Sequence, residues 1–594
     1  MRVLPIILGL GLAAARCPAP STQRPRLAFS NAFYVSLQGN DTWSGTLPAP
    51  TPAGDDGPFL TPSAAESAVQ SLLRPLTSDV TVYLRGGSYY LNSTLVLGPG
   101  SGGDGPSARV RWASYPPDGA RSAVLSGGAP VTGWAPSGMP GVWVAALPPA
   151  APARSRGLFV NDVRRWPARV PSAAGPQRSD WASDASSLHF VSSLNGCGAP
   201  PASCWGNTCS NASNAGNNFG FIFNASDARS PKQGWADVPG VDVLVFGAWT
   251  AAWSSVRAVF DANSTLLVTA PLSTARPGAW MCQGGQRYIL FNVREALAPL
   301  SGEYYVDDAA RKVYYAPTAG EGSDPTTLRI VVPVLDSVVS VQGDDCGGPI
   351  EFLDLLNLTI AHATDGGFGA RAAAYQASVG ALTFTSAMDC TVSGVAVQAT
   401  DGSGIFLEDN LIRITIASSL VQGVGGDGIG CASNSADGTG EPVNTTIVDS
   451  TIDGVGLIFH NQPGAVRVKG DVAGTVTVEN NLVRDSSYAG IMVSWQDGTT
   501  RPPEPVQWRF IVRGNLVEDC GNSLLSDFGG ACGRQRPPPG PPAASAPPSP
   551  CPSVRLCPLN PFLTPHFSLA ALQAFTSPPR GSSARPPRAA TSPP

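Results

Sequence analysis

Asp527, in the stretch "NSLLSDFGGA" (residues 522–531), is a carboxylate where the surrounding pattern calls for an apolar side chain. Counting from the repeated apolar anchors described below, its equivalents are Leu407, Cys431 and Val493. A carboxylate in a core-type slot is a local rule violation of the kind found at functional sites. The competing reading is an Asp that satisfies turn amides ahead of Gly529 and Gly530. Acid/base work needs a second group. Asp497, in "VSWQDG", lies one repeat earlier and is nearest; Asp427 and the pair Glu408 and Asp409, in "GIFLEDN", lie further back. Each of these also reads as a solvated turn acid. Trp495 and Tyr488 could stack on a ring-shaped ligand or pack at a loop base. His460, in "LIFHNQPG", could bond a hydroxyl or be structural, and Arg164 and Arg165 could reach over the same face, with a surface role as the default. No CxxC pair or His–Cys array is present and the chain has only four His, so no metal or other cofactor is expected.

These candidates fall in a region that repeats. Over 353–531, two apolar anchors five residues apart recur as Leu355/Ile360, Val392/Val397, Ile416/Val421, Ile447/Ile452, Val478/Val483 and Val512/Val517, at intervals of 37, 24, 31, 31 and 34 residues. A further apolar strand begins eight residues on, at Ile405, Ile429, Ile491 and Leu525. Asn481 and Asn515 share one phase, as stacked turn amides would. One such unit cannot bury its apolar face but a stack can, which makes the region a solenoid. Period-2 strands without helical phase predict an all-β chain with a right-handed parallel β-helix over 346–531.

The rest of the chain fits around this body. Residues 33–128 predict short strands and one helix in "SAAESAVQSLL", with Ala68, Val69, Leu72 and Leu73 on one face. Residues 129–345 predict antiparallel strands with longer loops, a β-sandwich-like insert. "MRVLPIILGLGLAAA" has the form of a signal peptide over 1–15, too short to span a bilayer. Seven N-x-S/T triplets and twelve Cys agree with a secretory, oxidising route, and Cys197, Cys204 and Cys209 suggest a disulfide. Net charge is −5, and the last 62 residues hold six Arg and no acid, so a nucleic-acid partner has little support. No transmembrane segment is expected, and oligomeric state is not legible.

"FYVSLQGNDTWSG" and "VTVYLRGGSYYLNSTLVLGP" resemble the N-terminal cap of secreted right-handed β-helix proteins. "GLFVNDVRRWPARVP" and "LFNVREALAPLSGEYYVDDAARKVYYAP" are similar to that group's insert, and "NNLVRDSSYAGIMVSW" and "GNLVEDCGNSLLSDFGGA" to its later coils. The resemblance covers about 33–531 and implies the β-helix glycoside hydrolases, of β-xylosidase-like or α-fucosidase-like type. It implies that Asp527, in an "SDxG" phrase, is one catalytic carboxylate, with a second one or more coils later. Such enzymes divide the work between two carboxyl groups, about 5 Å apart when configuration is retained and wider when it is inverted.

The chain departs from that group after Ala531. Eighteen of the last 62 residues are Pro, which no β-ladder accommodates, so 532–594 is expected to be disordered. The downstream carboxylate is then absent, whether by truncation or by an error in the gene model. Three classes stay open: a glycoside hydrolase-like protein acting on a polysaccharide or oligosaccharide, inactive if nothing replaces that carboxylate; a non-catalytic carbohydrate-binding or surface β-helix; and, ranked lowest, a Ca²⁺-dependent polysaccharide lyase, since no tight acid cluster appears.

Overall fold

The computed structural model describes residues 30–171, 189–193, 220–223, 235, 237–246, 251–260, 262, 264–270, 272, 287–322, 324–344, 348–365, 379–432, 444–458, 463–469, 474–494 and 508–521. Among these the chain is all-β apart from one α-helix, Pro62–Gln70, and short 3-10 turns. Three parallel sheets of nine, eight and seven strands dominate, and each complete coil among the described residues gives one strand to each. Thr391–Ser393, Ala396–Thr400 and Ser403–Leu407 are succeeded in register by Thr415–Ala417, Leu420–Val424 and Ile429–Ala432. The molecule is a parallel β-solenoid.

The five-residue spacing of the anchors has a simple cause. In a straight strand, residues five apart face opposite sides. Here one residue between each pair takes left-handed backbone: Asn357, Gly394, Ser418, Asp449, Asn480 and Gly514, with φ between 48° and 66°. The bend turns the chain from the first sheet into the second, and both anchors face inward. Val392, Val397, Ile416, Val421, Ile447 and Ile452 are all fully buried in one continuous core.

Polar groups at this corner are satisfied by stacking, as the shared phase of Asn481 and Asn515 predicts. Asn481 Nδ2 donates to Asn515 Oδ1 at 3.0 Å and to the Ile447 carbonyl at 3.0 Å. Its own Oδ1 accepts from the Ser450 amide at 2.9 Å, and Ser450 Oγ accepts from the Ser419 amide at 3.1 Å. A buried amide without such a partner would cost about 1–3 kcal/mol.

The N-terminal strands belong to the same stack. Val110–Ser114 pairs with Leu353–Leu356, Ala123–Ser126 with Thr359–Ala361, and Leu95–Leu97 with Val339–Gln342. Between Ala123–Ser126 and Val339–Gln342 the chain runs through three antiparallel sheets. The helix begins at Thr61, whose side chain accepts from the Ala64 amide, and Pro62 supplies its first turn. It buries Ala65, Ala68 and Val69, and Leu72 just beyond its end is also buried. Leu73 is exposed, because the helix stops at Gln70 before that residue completes the apolar face.

Cys390, Cys431 and Cys520 are buried free thiols, so the described cysteines form no disulfide. Cys197, Cys204 and Cys209 lie outside the described residues, as do the stretches 1–15 and 532–594. No helix among the described residues is long and apolar enough to cross a membrane.

Candidate functional site

Asp527, Asp497, Trp495 and His460 lie outside the described residues. The column to which spacing assigns Asp527 is nonetheless defined by its earlier members. Leu407 and Cys431 both point into the solenoid core and are fully buried. Burial chiefly pushes the Cys431 thiol up to about 12, with Arg467 opposing and Asp427 adding to the rise, a measure of how hostile that column is to charge.

Tyr488 is described, and it is packed. It stands between Leu482–Ser486 and Ala489–Ser494, in a buried cluster with Ile458 of the solenoid and Trp166, Phe246, Trp253 and Phe291 of the antiparallel segment. Trp253 Nε1 donates to the Ile458 carbonyl at 2.9 Å across the same contact. This cluster holds the antiparallel body against the solenoid.

The outward face of the parallel seven-stranded sheet carries a row of unlike side chains. Register places Thr383, Phe406, Gly430, Arg467 and Met492 side by side on five successive coils. Their sequence neighbours Leu382, Ile405, Ile429 and Val466 point into the core. An outward solenoid face is ordinarily wet, yet Phe406 is 2% exposed and Arg467 is not exposed at all. Arg467 Nε donates to Asp427 Oδ2 at 2.8 Å and Nη2 bonds the same oxygen, while Asp427 Oδ1 accepts from the Gly464 amide at 2.9 Å. Arg467 Nη1 is buried with no hydrogen-bond partner. Asp427 is thus a buried ion-pair member and not a solvated turn acid. Gly430 creates the space between these groups: a Cβ there would come within 2.8 Å of the Phe406 ring and 3.3 Å of Asp427 Oδ2.

A second carboxylate is buried one coil earlier, at the corner leading into the same sheet. Asp401 Oδ1 accepts from Arg164 Nη1 at 2.5 Å, and Arg164 Nη2 donates to the Thr400 carbonyl. Burial raises the Asp401 pKa and Arg164 opposes the rise. Arg164 stands on the hairpin of Leu158–Val160 and Val163–Arg165, 4.8 Å above the Phe159 ring. Two left-handed residues, Asn161 and Asp162, make its turn, and Asp162 meets His362 Nε2 at 3.0 Å. His362 Nδ1 shares a 2.9 Å hydrogen bond with Ser126, whose hydroxyl is completely buried. That Ser–His–Asp chain therefore clamps the hairpin to the solenoid and is closed to a substrate. Arg165 pairs with Glu321 and Tyr315. Both arginines are buried contacts, which corrects the surface role given to them from sequence; the charge runs "VRRW" did not reveal acids more than 150 residues away.

Glu408 follows Ser403–Leu407 and is half-buried, with Thr385 Oγ1 donating to it at 2.8 Å. Burial raises its pKa, Thr385 opposes, and Asp409 adds to the rise. It stands on the outward face near the far end of the strand from Asp427. Among the described residues no three His, Cys, Asp or Glu side chains converge as a metal site.

The fold has a solved counterpart. One structure titled "Glycoside hydrolase" superposes with a TM-score of 0.59 over 78% of this chain and 80% of its own, at 18% identity. At that identity the likeness shows the fold alone. A second, titled "The complex structure of XylC with xylose", gives a TM-score of 0.34 at 13% identity over 78% of this chain and 60% of its own, too loose a superposition to carry an argument. No family model matches the chain, and no curated protein matches it.

Proposed function

We propose that the chain is a secreted, carbohydrate-active protein of glycoside hydrolase type. In this reading it is a right-handed parallel β-helix, with Pro62–Gln70 as a cap over the first coils and 129–345 as an inserted β-sandwich-like domain. Its substrate lies over the outward face of the seven-stranded sheet. The carrying observation is the parallel β-solenoid itself, three long parallel sheets stacked coil on coil. The likeness of fold to a glycoside hydrolase supports the same reading. Asp527 acts as one carboxylate and Asp497 as its nearest partner, while Trp495 and His460 contact the sugar.

The test is turnover of aryl-xylosides and aryl-fucosides by the full chain, with Asp527→Asn and Asp497→Asn alongside. Loss of about a hundredfold or more in kcat/KM is expected for Asp527→Asn. Unchanged turnover removes that residue from the mechanism. A second reading, non-catalytic carbohydrate binding, is favoured by one observation. Asp401 and Asp427, two buried carboxylates at this corner, are each paired with an arginine and so are poorly placed to act as acid or base. Glycan binding without turnover in the wild type would decide for it.

A further inference from the structure

We propose that Tyr34, Tyr83 and Tyr115 form a surface platform on the outward face of the nine-stranded sheet that holds a neutral glycan chain through its phenol hydroxyls and ring edges. The inference rests on the carbohydrate reading above for the class of its ligand. It adds a binding site on a different sheet from the one over which the substrate is placed.

Three observations converge on it. First, the patch is open to solvent. Tyr34 and Tyr83 are in register on Ala32–Val35 and Val80–Leu84, and their neighbours Phe33, Val35, Val82 and Leu84 are buried in the core. The two tyrosines therefore point outward, and they and Tyr115 are half-exposed. Second, the side chains are held in place. The rings of Tyr34 and Tyr83 stack with centroids 5.6 Å apart, and Tyr115 stands edge-on to both, at 5.6 and 5.7 Å. Arg85 lies 4.9 Å from the Tyr115 centroid and is itself tied to Asp118 at 2.6 Å and to the Pro48 carbonyl at 2.6 Å. Fixed tyrosines give contact area at little cost in side-chain freedom. Third, the hydroxyls are unspent. None of the three bonds a described residue, and none is sealed from solvent. Burial, then the neighbouring Tyr115 and Tyr83, raise the Tyr34 pKa, so it stays a donor. Ring packing alone would be met by phenylalanine, without clustered hydroxyls that each donate and accept. Sugar hydroxyls match that pattern, and sugar C–H groups match the rings. The charge of Arg85 is balanced by Asp118, so the patch offers no unpaired cation to a uronate.

The platform is tested by titrating the full chain calorimetrically with soluble arabinoxylan, xyloglucan and polygalacturonate. One double variant, Tyr34→Phe with Tyr83→Phe, keeps the rings and loses two hydroxyls. A second, Tyr34→Val with Tyr83→Val, loses both in a residue suited to strands. Thermal melts confirm folding in each. The expected result is binding of a neutral polysaccharide by the wild type, weakened severalfold by the Phe pair and about tenfold or more by the Val pair, with polygalacturonate weaker. Wild-type affinity in either folded pair, tighter binding of polygalacturonate, or no polysaccharide binding by the wild type each overturns it. A dimer in sedimentation that the Val pair abolishes would give the patch to a second copy of the chain and overturn it too. Parallel assay of small aryl-glycosides separates the two proposals. Turnover with wild-type binding in the variants sinks the platform alone, whereas variant-sensitive binding without turnover sinks only the hydrolase reading.

Discussion

Asp427 and Arg467 place two unit charges where the solenoid admits almost no water. Such a pair is costly to desolvate, and removing one member strands the other. Arg467→Met should therefore lower stability by about 3–5 kcal/mol in denaturant unfolding, and the double variant with Asp427→Leu should recover most of that loss. Equal losses in the single and double variants would mean that the pair is not coupled. Glu303 makes a second residue-scale prediction. It is 5% exposed beside Arg169, and burial lifts its pKa from 4.5 to about 7 against the pull of that arginine. The folded state binds this proton more tightly than the unfolded state. Stability should thus fall as pH rises from about 4.5 to 7 and level off above, by up to about 3 kcal/mol. Glu303→Gln should flatten that slope, and an unchanged slope would place its origin elsewhere. Sequence spacing singled out Asp527 and listed Asp427 among the acids, but it passed over Arg467. The phrase "GAVRVKG" does carry a signal, an Arg between two inward valines, yet nothing local says that the outward side of this strand is covered.

At the scale of elements, the sharp corner is the best specified part of the chain. Gly394 and Gly514 hold φ of 66°, and a Cβ on either would come within 2.2 Å of Oδ1 of Asn357 or Asn480 on the coil before. Gly514→Ala and Gly394→Ala should each cost about 1–2 kcal/mol from backbone conformation alone, plus whatever the clash adds, read as a lower denaturation midpoint. A midpoint within error of the wild type would mean that the corner can rearrange. This corner was legible because its left-handed residue leaves a trace, the five-residue spacing of anchors. The hairpin of Leu158–Val160 and Val163–Arg165 was legible as antiparallel strand, but its partners were not. His362 and Asp401 lie about 200 or more positions away, and no periodic pattern links a loop to a distant corner.

At the scale of the molecule, strands from either side of the antiparallel excursion pair in register, so the stack is one cooperative body with a second body leaning on it. Sequence showed two kinds of β-structure. It could not show that Val110–Ser114 and Leu353–Leu356 are neighbours, because 238 intervening residues carry no register information. The bodies meet through Arg164–Asp401, Asp162–His362 and the Trp253–Tyr488 cluster. Arg164→Met should raise amide exchange in both the hairpin and Ala396–Thr400, since each side loses the same buried partner. Faster exchange in the hairpin alone would mean that the contact does not stabilise the solenoid.

The three corners of each coil also differ in how they tolerate change of length. The left-handed corner holds the two anchors five residues apart in all six repeats, while the intervals between repeats range from 24 to 37 residues. Within these six repeats the growth and shrinkage falls at the other two corners, as between Ala432 and Thr445, whereas the register-equivalent anchors of the N-terminal coils, Val82/Tyr89 and Trp112/Leu125, stand seven and thirteen residues apart. One residue inserted beside Ser418 would invert the facing of the strand that follows, whereas several inserted between Ala432 and Thr445 leave both flanking strands in place. From Leu353 onward the chain can therefore change length at those two corners without altering which side of each core strand faces inward, so the core is insulated from the length of its connections.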